Sequence, residues 1–150
     1  DTLARIDAGL RLVLDLVDTE NRASNDSLPL TPANEVLTEL TWRPESIGGL
    51  RAPYLRGSLR YADAQKAAPG EPFAQFDRNP RFGSASTGSY WLLDFSAGFQ
   101  FSGFGDQDMR VNLELRNALD EDYRDFLNTY KGYALNPGRD LRVTLEIPLG

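Results

Sequence analysis

Cysteine and histidine are both missing from this 150-residue chain. Without cysteine there is no disulfide framework and no thiolate metal site. Without histidine the usual general base, the Ser-His and Cys-His nucleophile pairs and the commonest metal ligand are gone as well. Acid–base chemistry by carboxylates alone stays open, yet no acidic pair rises above background, so the chain reads as a non-enzyme with no cofactor. A basic excess is also lacking. Lys and Arg number 16 against 22 Asp and Glu, a net charge of −6, which argues against a nucleic-acid partner. No apolar run approaches the roughly 20 residues that a spanning helix needs. What is present, 41% hydrophobic and 25% charged residues, suffices for one folded unit over residues 1–150. No basic and apolar leader opens the chain, so the expectation is a mature form or a piece of something longer.

The strongest positive signal is period two. Odd positions of Leu141–Leu149 read Leu, Val, Leu, Ile, Leu against Arg142, Thr144, Glu146 and Pro148. Met109–Leu115 sets Met, Val, Leu and Leu against Arg110, Asn112 and Glu114, and Trp91–Phe101 sets Trp, Leu, Phe, Ala, Phe and Phe against Leu92, Asp94, Ser96, Gly98 and Gln100. Weaker copies run over Leu55–Tyr61, Val36–Trp42 and Ile6–Leu16. Alternation of this length predicts strands with one oily and one wet face. Leu3, Ile6, Leu10, Val13 and Val17 would also fit a helical stripe; strand is the preferred reading there. The expectation is all-β: an antiparallel up-and-down meander of about six strands.

Wet-face charges suggest the pairing. In an antiparallel pair the numbers of opposed residues have a constant sum. Placing Asn112 opposite Thr144 sets Arg110 against Glu146, Glu114 against Arg142 and Arg116 against Asp140. Placing Phe101 opposite Met109 sets Gln100 against Arg110 and Asp94 against Arg116. Opposite-charge pairs across strands contribute roughly 0.2–1 kcal/mol each.

Which side the oil faces is a separate question. A soluble sandwich or barrel hides it, whereas a membrane barrel turns it to lipid and lines a polar lumen with the charges. Connections are short on one side (Pro44–Pro53 and Ser102–Asp108) and long on the other (Thr19–Asn34, Ala62–Ser89 and Asn117–Pro137), as in outer-membrane barrels. Trp42, Tyr54, Tyr90 and Trp91 crowd strand ends like interfacial girdle anchors. The expected setting is a transmembrane barrel closed by other strands or another chain; the alternative is a soluble or surface β-sandwich binding module.

"RVNLELRNALDEDYRDF" and "NPGRDLRVTLEIPLG" resemble the closing segment of TonB-dependent outer-membrane receptors. The matching positions are Asn117, Leu119, Asp120 and Tyr123, then Gly138 and Arg139. "LPLTPANEVLTELTWRP", through Leu28, Pro29, Pro32 and Asn34, and "FDRNPRFGSASTGSYWLLDFSAGFQF" resemble preceding parts of that family in the right order. The resemblance implies the C-terminal barrel portion of a receptor for energised uptake of a metal chelate or other scarce solute across the bacterial outer membrane. It implies as partners the lipid bilayer, the remaining barrel strands and a plug, and the inner-membrane TonB complex reached through the plug. The chain departs from the family in ending Leu149-Gly150 rather than on an aromatic residue. It also has far fewer strands than the family's 22 around a plug, which suggests a fragment or one chain of a split barrel.

Within this reading Asn117 and Asp120 are turn-forming side chains that bond nearby backbone. The acids Asp120, Glu121, Asp122 and Asp125 lack calcium-loop spacing, and no metal site is expected. Arg56, Arg60, Arg110, Arg116 and Arg142 would line a path for an anion, or more simply pair with Glu39, Asp94, Glu114 and Glu146. The ligand-binding candidates are Phe73, Phe76, Arg78, Arg81, Phe82, Tyr130 and Tyr133, aromatic and guanidinium side chains on long loops where recognition is usual.

Overall fold

Every alternating segment is a strand, and each pairs with the next. The computed structural model describes residues 6–20, 22, 31–65, 86–103, 107–128 and 134–148. Its strands are β1 (Ile6–Asp15), β2 (Glu35–Pro44), β3 (Ser46–Ile47), β4 (Leu50–Ala62), β5 (Tyr90–Ser102), β6 (Asp108–Arg116) and β7 (Asp140–Glu146). They form one antiparallel sheet in the order β1-β2-β4-β5-β6-β7, with the short β3 paired to the start of β4. The sheet is open: β1 and β7 are its edges. Among the described residues no helix is long and apolar enough to cross a membrane, which says nothing about strands.

The registers match those inferred from the charges. Asn112 stands opposite Thr144, with Arg110, Glu114 and Arg116 opposite Glu146, Arg142 and Asp140. Phe101 faces Met109 and Gln100 faces Arg110. The β5–β6 ladder stops at Phe95 and Leu115, one pair short of Asp94 and Arg116. A slip by one residue would put every oily side chain on the wet face, so alternation and charge together leave one register.

Between β3 and β4 the chain turns through Gly48 and Gly49, both at positive φ (56° and 85°), as a tight hairpin of matching twist requires. Ala52, also at positive φ (45°), lies inside the register shift between Arg51 and Tyr54. Pro53 follows it; a bulge tolerates proline because no ladder N–H is missed there. Past the bulge, Tyr54 pairs with Gly98 on the wet face, and its hydroxyl donates to Asn112 Oδ1 at 3.2 Å. Tyr54 is therefore no girdle anchor. Its ring occupies the space above Gly98, where a Cβ would collide with the Tyr54 ring and lie 2.7 Å from Asn112 Oδ1. Gly98→Val is expected to destabilise the sheet by about 1–3 kcal/mol through overpacking. A denaturant titration checks this, and most of the loss should vanish when Tyr54→Ala is added.

The oily face is left uncovered, unlike that of a water-soluble sheet. Leu40, Trp42, Leu55, Leu59, Trp91, Phe95 and Leu113 are exposed, Leu40 by 59% and Trp91 by 50%, and all lie on the oily face. The opposite face carries Thr41, Ala62, Tyr90, Leu92 and Gly98, all buried. On the oily face Trp42 lies at the short-turn end. At the other end Tyr61 and Trp91 pack with ring centroids 4.6 Å apart. Tyr90, expected at the girdle, is instead 5% exposed on the wet face.

Wet-face charges pair as Arg56–Glu39 (3.8 Å), Arg60–Glu35 (3.9 Å) and Arg110–Glu146 (3.4 Å). Arg116 turns to Glu114 on its own strand (3.0 Å) rather than to Asp140. Residues i and i+2 share a face, so this pairing competes with the cross-strand one and leaves Arg142 without an ion pair among the described residues.

Candidate functional site

At the long-connection end the strand ends are tied together by side chains. Asn34 Oδ1 accepts the Val17 N–H at 2.9 Å, and the Asn34 carbonyl accepts the Asp63 N–H at 2.9 Å. Gln65 donates to the carbonyls of Thr31 and Pro32 and bridges to Thr87. Leu28 and Pro29 lie outside the described residues.

The more elaborate construction begins where β6 stops alternating. Asn117, at φ 48° and 4% exposed, turns the chain off the sheet. Its N–H donates to Asp94 Oδ1 at 2.7 Å, and the next N–H, of Ala118, donates to the Leu93 carbonyl at 2.7 Å. The Asn117 carbonyl accepts the Asp120 N–H at 2.9 Å. Asp120 is again in the left-handed region (φ 57°), which Asn and Asp tolerate better than other side chains. The Asn117 amide then binds both backbone groups of Glu121: Oδ1 accepts its N–H and Nδ2 donates to its carbonyl, each at 2.9 Å. Nδ2 also approaches the Pro137 carbonyl at 3.5 Å.

The returning chain is fastened in the same manner. Asp120 Oδ1 accepts the Arg139 N–H at 2.9 Å, and the Arg139 guanidinium lies 3.8 Å from Oδ2. Gly138 passes so close that a Cβ would stand 3.1 Å from Asp120 Oδ1. The Asn136 N–H donates to the Tyr123 carbonyl at 2.9 Å, and Asn136 Oδ1 accepts the Asp125 N–H at 3.0 Å. Residues 117–128 and 134–139 thereby fold onto the wet face. Tyr123 packs against Tyr90, with ring centroids 4.6 Å apart and planes tilted by 44°, and completes a small cluster with Ala62 and Leu92. Asp120 and Asp125 each give one carboxylate oxygen to a backbone N–H, of Arg139 and of Leu127; the second oxygen of Asp120 lies beside the Arg139 guanidinium, and that of Asp125 accepts the Tyr90 hydroxyl at 3.5 Å. Among the described residues no group of three or more acidic side chains is placed to hold a metal ion.

Between this fold-over and the sheet lies an open recess of about 800 Å³. Arg60, Arg116 and Arg142 project from the strands and Arg139 from the returning segment; Asp94, Asp140, Leu92 and Tyr123 complete much of the wall. Four guanidinium groups and two carboxylates line it, and three further carboxylates, Glu35, Glu114 and Asp120, stand within 4 Å of three of the arginines. Arg60, Arg116 and Arg142 were identifiable from alternation. Arg139 and Tyr123 become neighbours of these only through the Asn117 turn, whose signal in the sequence was the break in period two followed by the Asn-Ala-Leu-Asp stretch. The loop candidates Phe73, Phe76, Arg78, Arg81, Phe82, Tyr130 and Tyr133 lie outside the described residues. No family model matches the chain, and neither curated proteins nor solved structures match it.

Proposed function

We propose that this chain is a stretch of outer-membrane β-barrel wall, from the C-terminal part of a TonB-dependent receptor that imports a scarce solute. The observation that carries the reading is the uncovered oily face: Leu, Phe and Trp are bare on one side, while the buried Tyr90 and Leu92 sit on the other with the ion pairs. Water would penalise that oily face by about 25 cal/mol per Å² left exposed, and acyl chains would not.

Dimensions support the same reading. The oily positions of β5 run from Trp91 to Phe101, a span of about 34 Å at the usual strand rise. Tilted by ~35–45°, that becomes about 24–28 Å, close to the ~25 Å apolar band of outer-membrane barrels. Trp42 and the Tyr61–Trp91 pair mark opposite ends of the band, where aromatic girdles belong. The open edges β1 and β7 must be covered in lipid, because each unpaired backbone group there costs several kcal/mol. Further barrel strands, on the same precursor or on a partner, are the natural cover. The resemblance through Asn117, Asp120, Tyr123, Gly138 and Arg139 gains weight because these positions bind one another or close one recess. Energy coupling would come from a plug that contacts the inner-membrane TonB complex, with this chain supplying wall and mouth.

The test is the state of the protein in detergent and in plain buffer. The expected result is folding that depends on detergent or lipid, and a heat-modifiable shift on gels of the assembled barrel. A chain folded and monomeric in plain buffer would overturn the proposal and favour a soluble β-sandwich, whose oily face a second sheet must cover.

A further inference from the structure

We infer that the recess beneath the Asn117 turn binds a small organic oxyanion, a carboxylate- or phosphate-bearing solute with a flat apolar part. This deepens the uptake reading, since such a ligand would be held at the mouth of the proposed lumen. The site itself needs only the described wet face.

The argument starts from unused donors. Each guanidinium offers five N–H groups in a planar fork suited to carboxylate or phosphate. Arg60 and Arg139 stand 3.9 and 3.8 Å from Glu35 and Asp120. Those separations give charge proximity without the 2.7–3.2 Å of a hydrogen bond. Arg116 makes a 3.0 Å bond to Glu114, one bond for a group with five donors. Arg142 faces Glu114 in register, but with Glu114 taken by Arg116 it has no ion pair among the described residues. The three partner carboxylates Glu35, Glu114 and Asp120 are absent from the recess wall. Of the two acids that are on it, Asp94 accepts the Asn117 N–H.

An oxyanion entering this space gains charge-assisted bonds that the protein leaves unmade. Leu92 and Tyr123 supply an apolar and aromatic surface beside the arginines, which explains the preference for a ligand with a flat apolar part over a bare ion. A volume of about 800 Å³ lies within the usual range of small-molecule sites.

Calorimetric titration of the protein, purified in detergent, with trimesate (a planar benzene tricarboxylate) tests this. Saturable binding is expected that weakens with added salt, with none for the uncharged trimethyl ester. Inorganic phosphate should bind more weakly than trimesate. Arg142→Gln removes no ion pair, so the fold should persist while affinity falls about tenfold, the loss expected for one charged hydrogen-bonding partner. Arg142→Lys should restore part of it. Arg110→Gln, at the short-turn end of the wet face, should change nothing. Absence of saturable trimesate binding, or equal losses in Arg142→Gln and Arg110→Gln, would overturn the site. Detergent-dependent folding without trimesate binding removes the site and leaves the barrel reading standing. Trimesate binding by a chain folded in plain buffer does the opposite.

Discussion

Val143→Arg is expected to cost about 2–4 kcal/mol when unfolding is followed in lipid bilayers, as for a cation placed on the lipid face near the midplane. Thr144→Arg, one residue on, should cost less than 1 kcal/mol, the usual range for a surface change. The two side chains share a strand and opposite faces. Val143 is 64% exposed on the oily side, in the row that runs through Leu113 and Ala97. Thr144 stands opposite Asn112 between Arg142 and Glu146. A second comparison separates lipid from a covering protein layer. In lipid the cost should fall to about 0–1 kcal/mol toward the interface, so Ile147→Arg, nearer the strand end, should be mild. A packed protein core would penalise both sites according to local fit. Equal costs for Val143→Arg and Thr144→Arg would sink the assignment of faces.

The strands and their pairing were readable in advance for one physical reason: a period of two carries face and register together. Arg110, Glu114 and Arg116 sit among oily residues at even spacing, so one sum of residue numbers matched charge to charge across β6 and β7, and the ladder has that sum. The ion pairs were less readable. Arg116 had two carboxylates within reach, Glu114 on its own strand and Asp140 across, and a sequence does not rank them. Tyr54 lies past the bulge at Ala52 and in register with Leu55 and Arg56, so alternation alone puts it on the wet face, and its place at a strand entry is no sign of a girdle. Gly98 was the available clue, since a glycine inside a strand pattern often marks a close approach. The recess is a harder case. Its strand arginines follow from alternation, but Arg139 and Tyr123 arrive through hydrogen bonds between residues up to twenty apart, for which no periodicity exists.

Asn117→Ala is expected to cost about 2–5 kcal/mol. Two contributions add. The Asn117 amide satisfies both the N–H and the carbonyl of the exposed Glu121, and each of these hydrogen bonds is worth about 0.5–1.5 kcal/mol net. Asn117 also sits at φ 48°, where an alanine pays roughly 1–2 kcal/mol for its Cβ. Asn117→Gly separates these contributions: it removes the strain, keeps the hydrogen-bond loss, and should be milder than alanine by about that 1–2 kcal/mol. Asn117→Asp keeps an acceptor for the Glu121 N–H but turns a carboxylate oxygen toward the carbonyls of Glu121 and Pro137, so it should fall near alanine. Urea unfolding in detergent measures the series. Limited proteolysis reports whether residues 117–128 and 134–139 have come away from the wet face. Release would carry Tyr123 off Tyr90 and Arg139 away from Arg60, Arg116 and Arg142, so oxyanion affinity should fall together with protection from protease. Alanine and glycine variants both within 0.5 kcal/mol of the parent, the range of an ordinary surface change, would mean that the amide does not hold the fold-over closed.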